Sequence, residues 1–224
     1  MGKVSASDRR PERDRMVDLI ARRGIRGSRL LLAMRTVPRE RFVSQGLSHL
    51  AYEDTALPIE NEQTISQPFI VASMIEAADV TAQDRVLEVG TGSGYAAAVL
   101  SLMARRVHTI ERHDPLTTLA RARFQALGYR NIDVRTDDGT TGWPEAAPFD
   151  AILVAAAGPE VPEPLKAQLA LGGRLVMPVD VGPAGDAQWL VKLVRTTESD
   201  YDRKVLGAVS FVPLIGRYGW SEGD

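Results

Sequence analysis

Three short stretches gather residue types that could do chemistry. The first is "GTGSG" (90–94), directly after the apolar run "RVLEV". Glycines admit close approach of backbone N–H groups to a ligand. A turn outside the carboxyl end of a strand is where open α/β sheets bind their ligands. The spacing is G-x-G-x-G, so the third glycine falls one position early for the dinucleotide pattern. Glu88 stands two residues before the turn, and Glu111 ends the next apolar run. A carboxylate there can accept both hydroxyls of a ribose. The second stretch, "TDDGTTGW" (136–143), sets Asp138 and Gly139 after a further strand. Asp138 could accept from an adenine amino group while Gly139 lets the backbone near the ring. Asp-Gly is also a common turn signal.

The third stretch is "ENEQTISQPF" (60–69), where the hydroxyls Thr64 and Ser66 lie between the amides Gln63 and Gln67. Pro68 suits the first turn of a helix. Ser66 then reads as its N-cap, accepting from a backbone N–H. A helix N-terminus gathers unpaired N–H groups and a positive dipole end, which favour a carboxylate. Thr64, Ser66 and Gln67 are therefore a candidate cradle for an anionic acceptor, and the cap and cradle roles are compatible. Ser66 would orient and not attack, because no base stands ready to activate it.

Composition narrows the classes. The 224 residues are 44% hydrophobic and 25% charged, ordinary for a soluble domain. No run reaches the ~18 apolar residues of a membrane span. The N-terminus has no apolar h-region of a secretory signal, so a cytoplasmic setting is expected. Zero cysteines exclude disulfides and thiolate ligands, and His49, His108 and His113 show no metal-ligand spacing. Residues 1–41 hold 12 basic and 5 acidic residues, against a net −2 for the whole chain. The basic arm lacks aromatics for base stacking, which argues against a nucleic-acid partner. It reads as a solvated helix face with i,i+4 pairs, Asp14 and Asp18 facing Arg10 and Arg22.

The elements that must position these residues follow from periodicity. Helices are predicted over 11–23, 28–35 and 68–78, with a break at Pro38. From residue 84 the texture alternates. Strands are predicted at 85–89, 107–111, 132–136, 150–157 and 174–179, with helices between, the last spanning "EPLKAQLALGG" (163–173). That alternation means βαβ units and a parallel sheet. Runs at 188–196 and 205–214 follow without a helix and predict an antiparallel edge.

The form E-x-G-x-G-x-G resembles the S-adenosylmethionine (SAM) site of class I methyltransferases. In order, "YEDTALPI", "QTISQP", "VLEVGTGSGY", "IER", "DDG…GW", "APFDAILVAAAGPEVP", "QLALGGRLVMPV" and "FVPLIG" are similar to the pattern of protein-L-isoaspartate O-methyltransferases, from about residue 37 to 216. The resemblance implies one compact domain with a doubly wound, mostly parallel, Rossmann-like sheet whose last strands carry a reversal of order. Residues 1–78 would be the helical, substrate-side segment and 79–224 the SAM-binding core. It implies methylation of the free carboxylate of isoaspartyl residues in damaged proteins or peptides, which starts their repair. Gln63, Thr64, Glu88, Gly90, Thr91, Gly92, Gly94, Glu111, Arg112, Asp138 and Gly139 would hold the cofactor. Thr64, Ser66 and Gln67 would hold the substrate, with Ser66 the active-site residue and no metal. The family usually has glycine where Glu60 and Glu62 stand, and those acids are expected to face away from the acceptor. A carboxyl methyltransferase with one dedicated acceptor, or a SAM-binding adaptor without turnover, are the alternatives.

Overall fold

The computed structural model describes residues 9–181 and 187–223; the first eight residues of the basic arm fall outside that range. Helices α1 (Arg10–Arg22) and α2 (Ser28–Thr36) each bury one apolar stripe, Met16, Val17 and Ile20 on the first and Leu30, Ala33 and Met34 on the second. Two acids of α1 tie it to its neighbour: Arg35 on α2 bonds both Asp14 and Asp18, while Glu12 pairs locally with Arg9. A small hairpin follows, β1 (Leu57–Pro58) against β2 (Thr64–Ile65), and then α3 (Pro68–Ala77).

The core alternates β3 (Arg85–Val89), α4 (Tyr95–Ser101), β4 (Arg106–Glu111), α5 (Asp114–Leu127), β5 (Ile132–Thr136), β6 (Phe149–Val154), α6 (Glu163–Ala167), β7 (Leu169–Val181), β8 (Ala187–Arg195) and β9 (Tyr201–Val209). The sheet order is β5-β4-β3-β6-β7-β8-β9, parallel up to β7 and antiparallel beyond it. The chain therefore steps outward from β3 through β4 to β5, then returns to the other side of β3 as β6. This creates a switch point outside the carboxyl ends of β3 and β6, the place where such sheets open a crevice. The last three strands lie in simple sequence order, and what reverses at β8 is direction.

Three expectations need correction. The predicted helix over 163–173 stops at Ala167, and Leu169–Gly173 belong to β7. Leu169 pairs with Phe149 and Arg174 with Ala151, so the intervening residues form a bulge. Gly172 adopts φ 73° and Gly173 sits where a Cβ would lie 2.7 Å from the Ala170 carbonyl oxygen. These glycines allow a bulge, not a helix stop. The strand predicted to 157 ends at Val154, because Ala157 pairs instead with the C-terminal segment, its N–H donating to Val212 O (2.8 Å) and its carbonyl accepting from Leu214 N (2.7 Å). The run at 205–214 likewise leaves the sheet after Val209, ahead of Pro213, which has no N–H for a ladder.

Apolar side chains fill both faces of the sheet. Met16, Ile20, Leu30 and Met34 join Val86, Val99 and Val107 in one buried cluster, while Leu87, Ile110, Ile152 and Met177 form the other. The N-terminal helices thus share a core with the sheet. Among the described residues no helix is long and apolar enough to cross a membrane, and no group of three or more acidic, His or Cys residues could hold a metal.

Candidate functional site

A cavity of about 430 Å³ opens at the switch point, within the roughly 300–1,000 Å³ of small-ligand pockets. Gln63, Thr64, Ser66, Glu88, Gly90, Thr91, Gly92, Glu111, Arg112 and Gly139 all line it. The structure does not bring Gly94, Gln67 or Asp138 to this wall.

The glycine turn works differently from the expectation. Gly90 N and Thr91 N both donate to Ile110 O (2.8 and 3.2 Å), Gly92 N to Glu111 Oε2 (2.8 Å) and Gly94 N to Thr91 O (2.8 Å). These N–H groups are engaged within the protein. The glycines contribute shape: Gly90 and Gly92 take φ 94° and 51° and form a floor without side chains. Gly94, at φ 90°, starts α4, and a Cβ there would lie 2.7 Å from the Phe124 ring. It serves the packing of α5 on α4.

Glu111 is buried, and each oxygen accepts one backbone N–H, Gly92 at Oε2 and His113 at Oε1 (3.1 Å). A carboxylate oxygen has two lone pairs, so one on each oxygen stays available. Glu88 lies beneath the turn, accepting from Thr109 Oγ1 (2.6 Å), which in turn meets Thr91 Oγ1 (2.6 Å). Burial pushes its pKa up to about 8; the Thr109 hydrogen bond opposes the shift and the nearby Glu111 charge adds to it. A carboxyl whose folded pKa is raised holds its proton in the native state. Its stabilising contribution is full below the ordinary carboxyl range and is lost as pH climbs through about 8. The melting temperature should therefore fall from about pH 5 to about pH 8, and Glu88→Gln, which cannot titrate, should flatten that slope. Parallel wild-type and variant melting curves across this range would remove Glu88 as the cause.

Thr64 and Ser66 occupy alternate positions of an extended segment, so they share a face while Ile65 turns into the core. Both line the cavity, and neither hydroxyl is bonded within the protein among the described residues. Ser66 is not the N-cap. Helix α3 begins at Pro68 with Gln67 in the cap position. The orphan N–H of Phe69 is satisfied from a distance by Asp54 Oδ1 (3.0 Å), and Gln67 Nε2 is held by Asp54 O and Oδ2 (both 2.8 Å). Gln67 thus braces the loop and does not face the cavity.

Asp138 also turns away. Its Oδ1 accepts from Thr140 N (2.9 Å) and Oγ1 (2.6 Å), and its Oδ2 from Arg217 N (2.8 Å). It anchors the C-terminal segment and lines a neighbouring cavity with Arg112, Ile215 and Trp220. Arg112 and Ile215 border both cavities, and Arg112 pairs with Glu222. Glu60 sits 3.8 Å from Arg123 and is not part of the cavity wall. Glu62, expected to face away, does line it and has no ion-pair partner among the described residues. Sequence reasoning missed the apolar wall of Met74, Ile75, Tyr95 and Val212–Ile215; the "FVPLIG" run was its one visible sign.

Parallel sheet, switch-point cavity and glycine turn together define a class I methyltransferase. A family model for protein-L-isoaspartate(D-aspartate) O-methyltransferase (PCMT) matches residues 11–219. The chain belongs to this family. It is 56% identical over 205 residues to a protein-L-isoaspartate O-methyltransferase of Rhodopseudomonas palustris, covering 92% of this chain and 93% of that protein. Identity to the Brucella anthropi enzyme of that name is 49%, covering 94% and 96%. A solved protein-L-isoaspartate O-methyltransferase superposes with TM-score 0.84 at 28% identity, covering 92% of this chain and 67% of that one. A "beta-aspartate methyltransferase (PCMT) from Plasmodium falciparum in complex with S-adenosyl-L-homocysteine" gives 0.78 at 25%, covering 91% and 98%.

Proposed function

We propose that the chain transfers a methyl group from S-adenosyl-L-methionine to the free carboxylate of L-isoaspartyl residues in damaged proteins and peptides, the first step of their repair. The observation that carries this reading is the cavity itself: one wall has the glycine floor and Glu111, another the two unengaged hydroxyls of Thr64 and Ser66. Gln63, Glu88, Gly90, Thr91, Gly92, Glu111, Arg112 and Gly139 hold the cofactor, with Thr64 at the boundary between cofactor and substrate. The donor set fits that cofactor. Glu111 keeps a lone pair on each oxygen for the ribose. Gly90 and Gly92 both line the cavity and present backbone to it without a side chain. Residues 1–78 supply the substrate side and 79–224 the cofactor side.

The cofactor, when bound, supplies an electrophilic methyl group on a sulfonium. The acceptor carboxylate, with a reference pKa of about 4, is ionised at neutral pH and needs no general base. The protein's task is positioning in a near-attack geometry. Thr64 and Ser66 donate to the acceptor carboxylate and fix its orientation. Such chemistry suits a chain without cysteine, and a cytoplasmic setting suits a repair enzyme of this kind.

Transfer of label from SAM to an isoaspartyl peptide and to its aspartyl twin tests the reading. The expected result is methylation of the isoaspartyl peptide alone, across unrelated sequences. No transfer to either peptide would overturn it, and transfer to a single sequence only would favour a dedicated acceptor.

Glu62 adds a prediction. An unpaired acid beside an anionic acceptor repels it by about 1 kcal/mol, so Glu62→Gly should lower KM for an isoaspartyl peptide about fivefold, most at low salt. Glu62 also takes φ 57°, a region costly for non-glycine residues, so the variant should melt higher. Glu60→Gly should leave KM unchanged. A KM equal to that of the wild-type protein in both variants, at low salt as well as high, would show that neither acid reaches the substrate.

A further inference from the structure

Arg39 is the largest of the fully buried side chains, with 0% of its surface exposed. Its Nε donates to Ala51 O (2.9 Å) and its Nη2 to Ser66 O (2.8 Å). Among the described residues its Nη1 makes no hydrogen bond of full geometry. The guanidinium lies over the ring of Tyr95, 4.6 Å from the centroid. Tyr95 lines the cavity, and its buried phenol interacts with the guanidinium but, being neutral, is no counter-ion to it. No described carboxylate comes within ion-pairing distance of Arg39. Asp54 acts on it through space, but its oxygens are held by Arg23, Gln67 and Phe69 N–H. Burial lowers the guanidinium pKa to about 10, so it remains a cation at neutral pH. A buried charge without a counter-ion is costly to a fold. A structural strut for the Ser66 backbone could be neutral.

We propose that Arg39 is a positioning residue: it fixes the Ser66 main chain, and its uncompensated charge draws the ionised carboxylate of the acceptor to the Thr64–Ser66 hydroxyls. The inference rests on the reading that this wall of the cavity receives the acceptor. Arg39 is thereby the partner that distinguishes a free carboxylate from a neutral group of the same shape. Because the charge is buried, salt should screen its effect only weakly, unlike that of Glu62.

The test compares an isoaspartyl peptide with its twin in which the free carboxylate is a carboxamide. Binding of each is measured with S-adenosyl-L-homocysteine present, at low and high salt. The wild-type protein should favour the carboxylate by about tenfold or more, with little change between the salts. Arg39→Met should lose most of that preference and raise KM about tenfold or more, while affinity for S-adenosyl-L-homocysteine stays within about twofold. Arg39→Lys, which keeps the charge and loses the fork, should retain the preference and show a lower kcat. Equal wild-type binding of the two peptides would overturn the proposal whether or not a variant folds. So would an Arg39→Met protein with lowered melting temperature but unchanged carboxylate preference. If wild-type protein methylates no isoaspartyl peptide, the functional reading fails instead.

Discussion

Ser66→Ala is expected to cut turnover of an isoaspartyl peptide by more than tenfold while SAM affinity and melting temperature stay near wild type. Tenfold corresponds to about 1.4 kcal/mol of barrier, the scale of one hydrogen bond to a charged group. Among the described residues the hydroxyl makes no hydrogen bond, and the residue does not cap α3, so its removal breaks no described hydrogen bond. The stability cost that an N-cap serine would carry, ~1 kcal/mol, should accordingly be missing. Asp54→Ala provides the contrast. It removes the acceptor of Phe69 N–H, the brace on Gln67 and the partner of Arg23, so it should lower stability first. A Ser66→Ala enzyme with full turnover, measured where it is folded, would take Ser66 out of the site.

The reassignment of that cap shows what a sequence can and cannot carry. Local periodicity located the strands at 85–89 and 132–136 and the turn between β3 and α4, because apolar runs and glycine spacing are properties of neighbours. The parallel character of the sheet followed from the alternation of strands and helices, whereas the order of its strands, with β6 returning beside β3, is set by packing that no local pattern encodes. The errors lie where a distant residue took over a local role. Asp54 caps a helix 15 residues away, so the serine beside that helix is released. Ile110 O and Glu111 hold the N–H groups of the glycine turn, so the turn contributes shape where N–H donors were expected. Leu169–Gly173 continued the composition of a helix, yet Phe149 offered a strand partner to Leu169, and the glycines could bulge. Arg39 gave no signal in "VPRER", since a charged residue in a short polar run reads as surface. Only the packing of Tyr95 and the Ser66 carbonyl around it reveals burial.

Glu111→Ala should weaken SAM binding by roughly 1.5–3 kcal/mol, as loss of a charged acceptor does. Two causes could produce that loss. Glu111 has free lone pairs for the ribose, and it also holds Gly92 N and His113 N, so its removal loosens the glycine turn. Calorimetry with the cofactor alone cannot separate them, but a cycle can. S-adenosyl-L-homocysteine and its 2′-deoxy and 3′-deoxy forms should differ in affinity for the wild-type protein. In Glu111→Ala the three should bind alike, because the group that read the hydroxyls is missing. If the turn alone is at fault, the deoxy penalties survive in the variant, set on a weaker baseline. An unchanged dissociation constant in Glu111→Ala would remove Glu111 from the cofactor site altogether. The cycle tests the proposed double role of Glu111: one lone pair per oxygen holds the floor of the cavity, and the other is proposed to read the ligand.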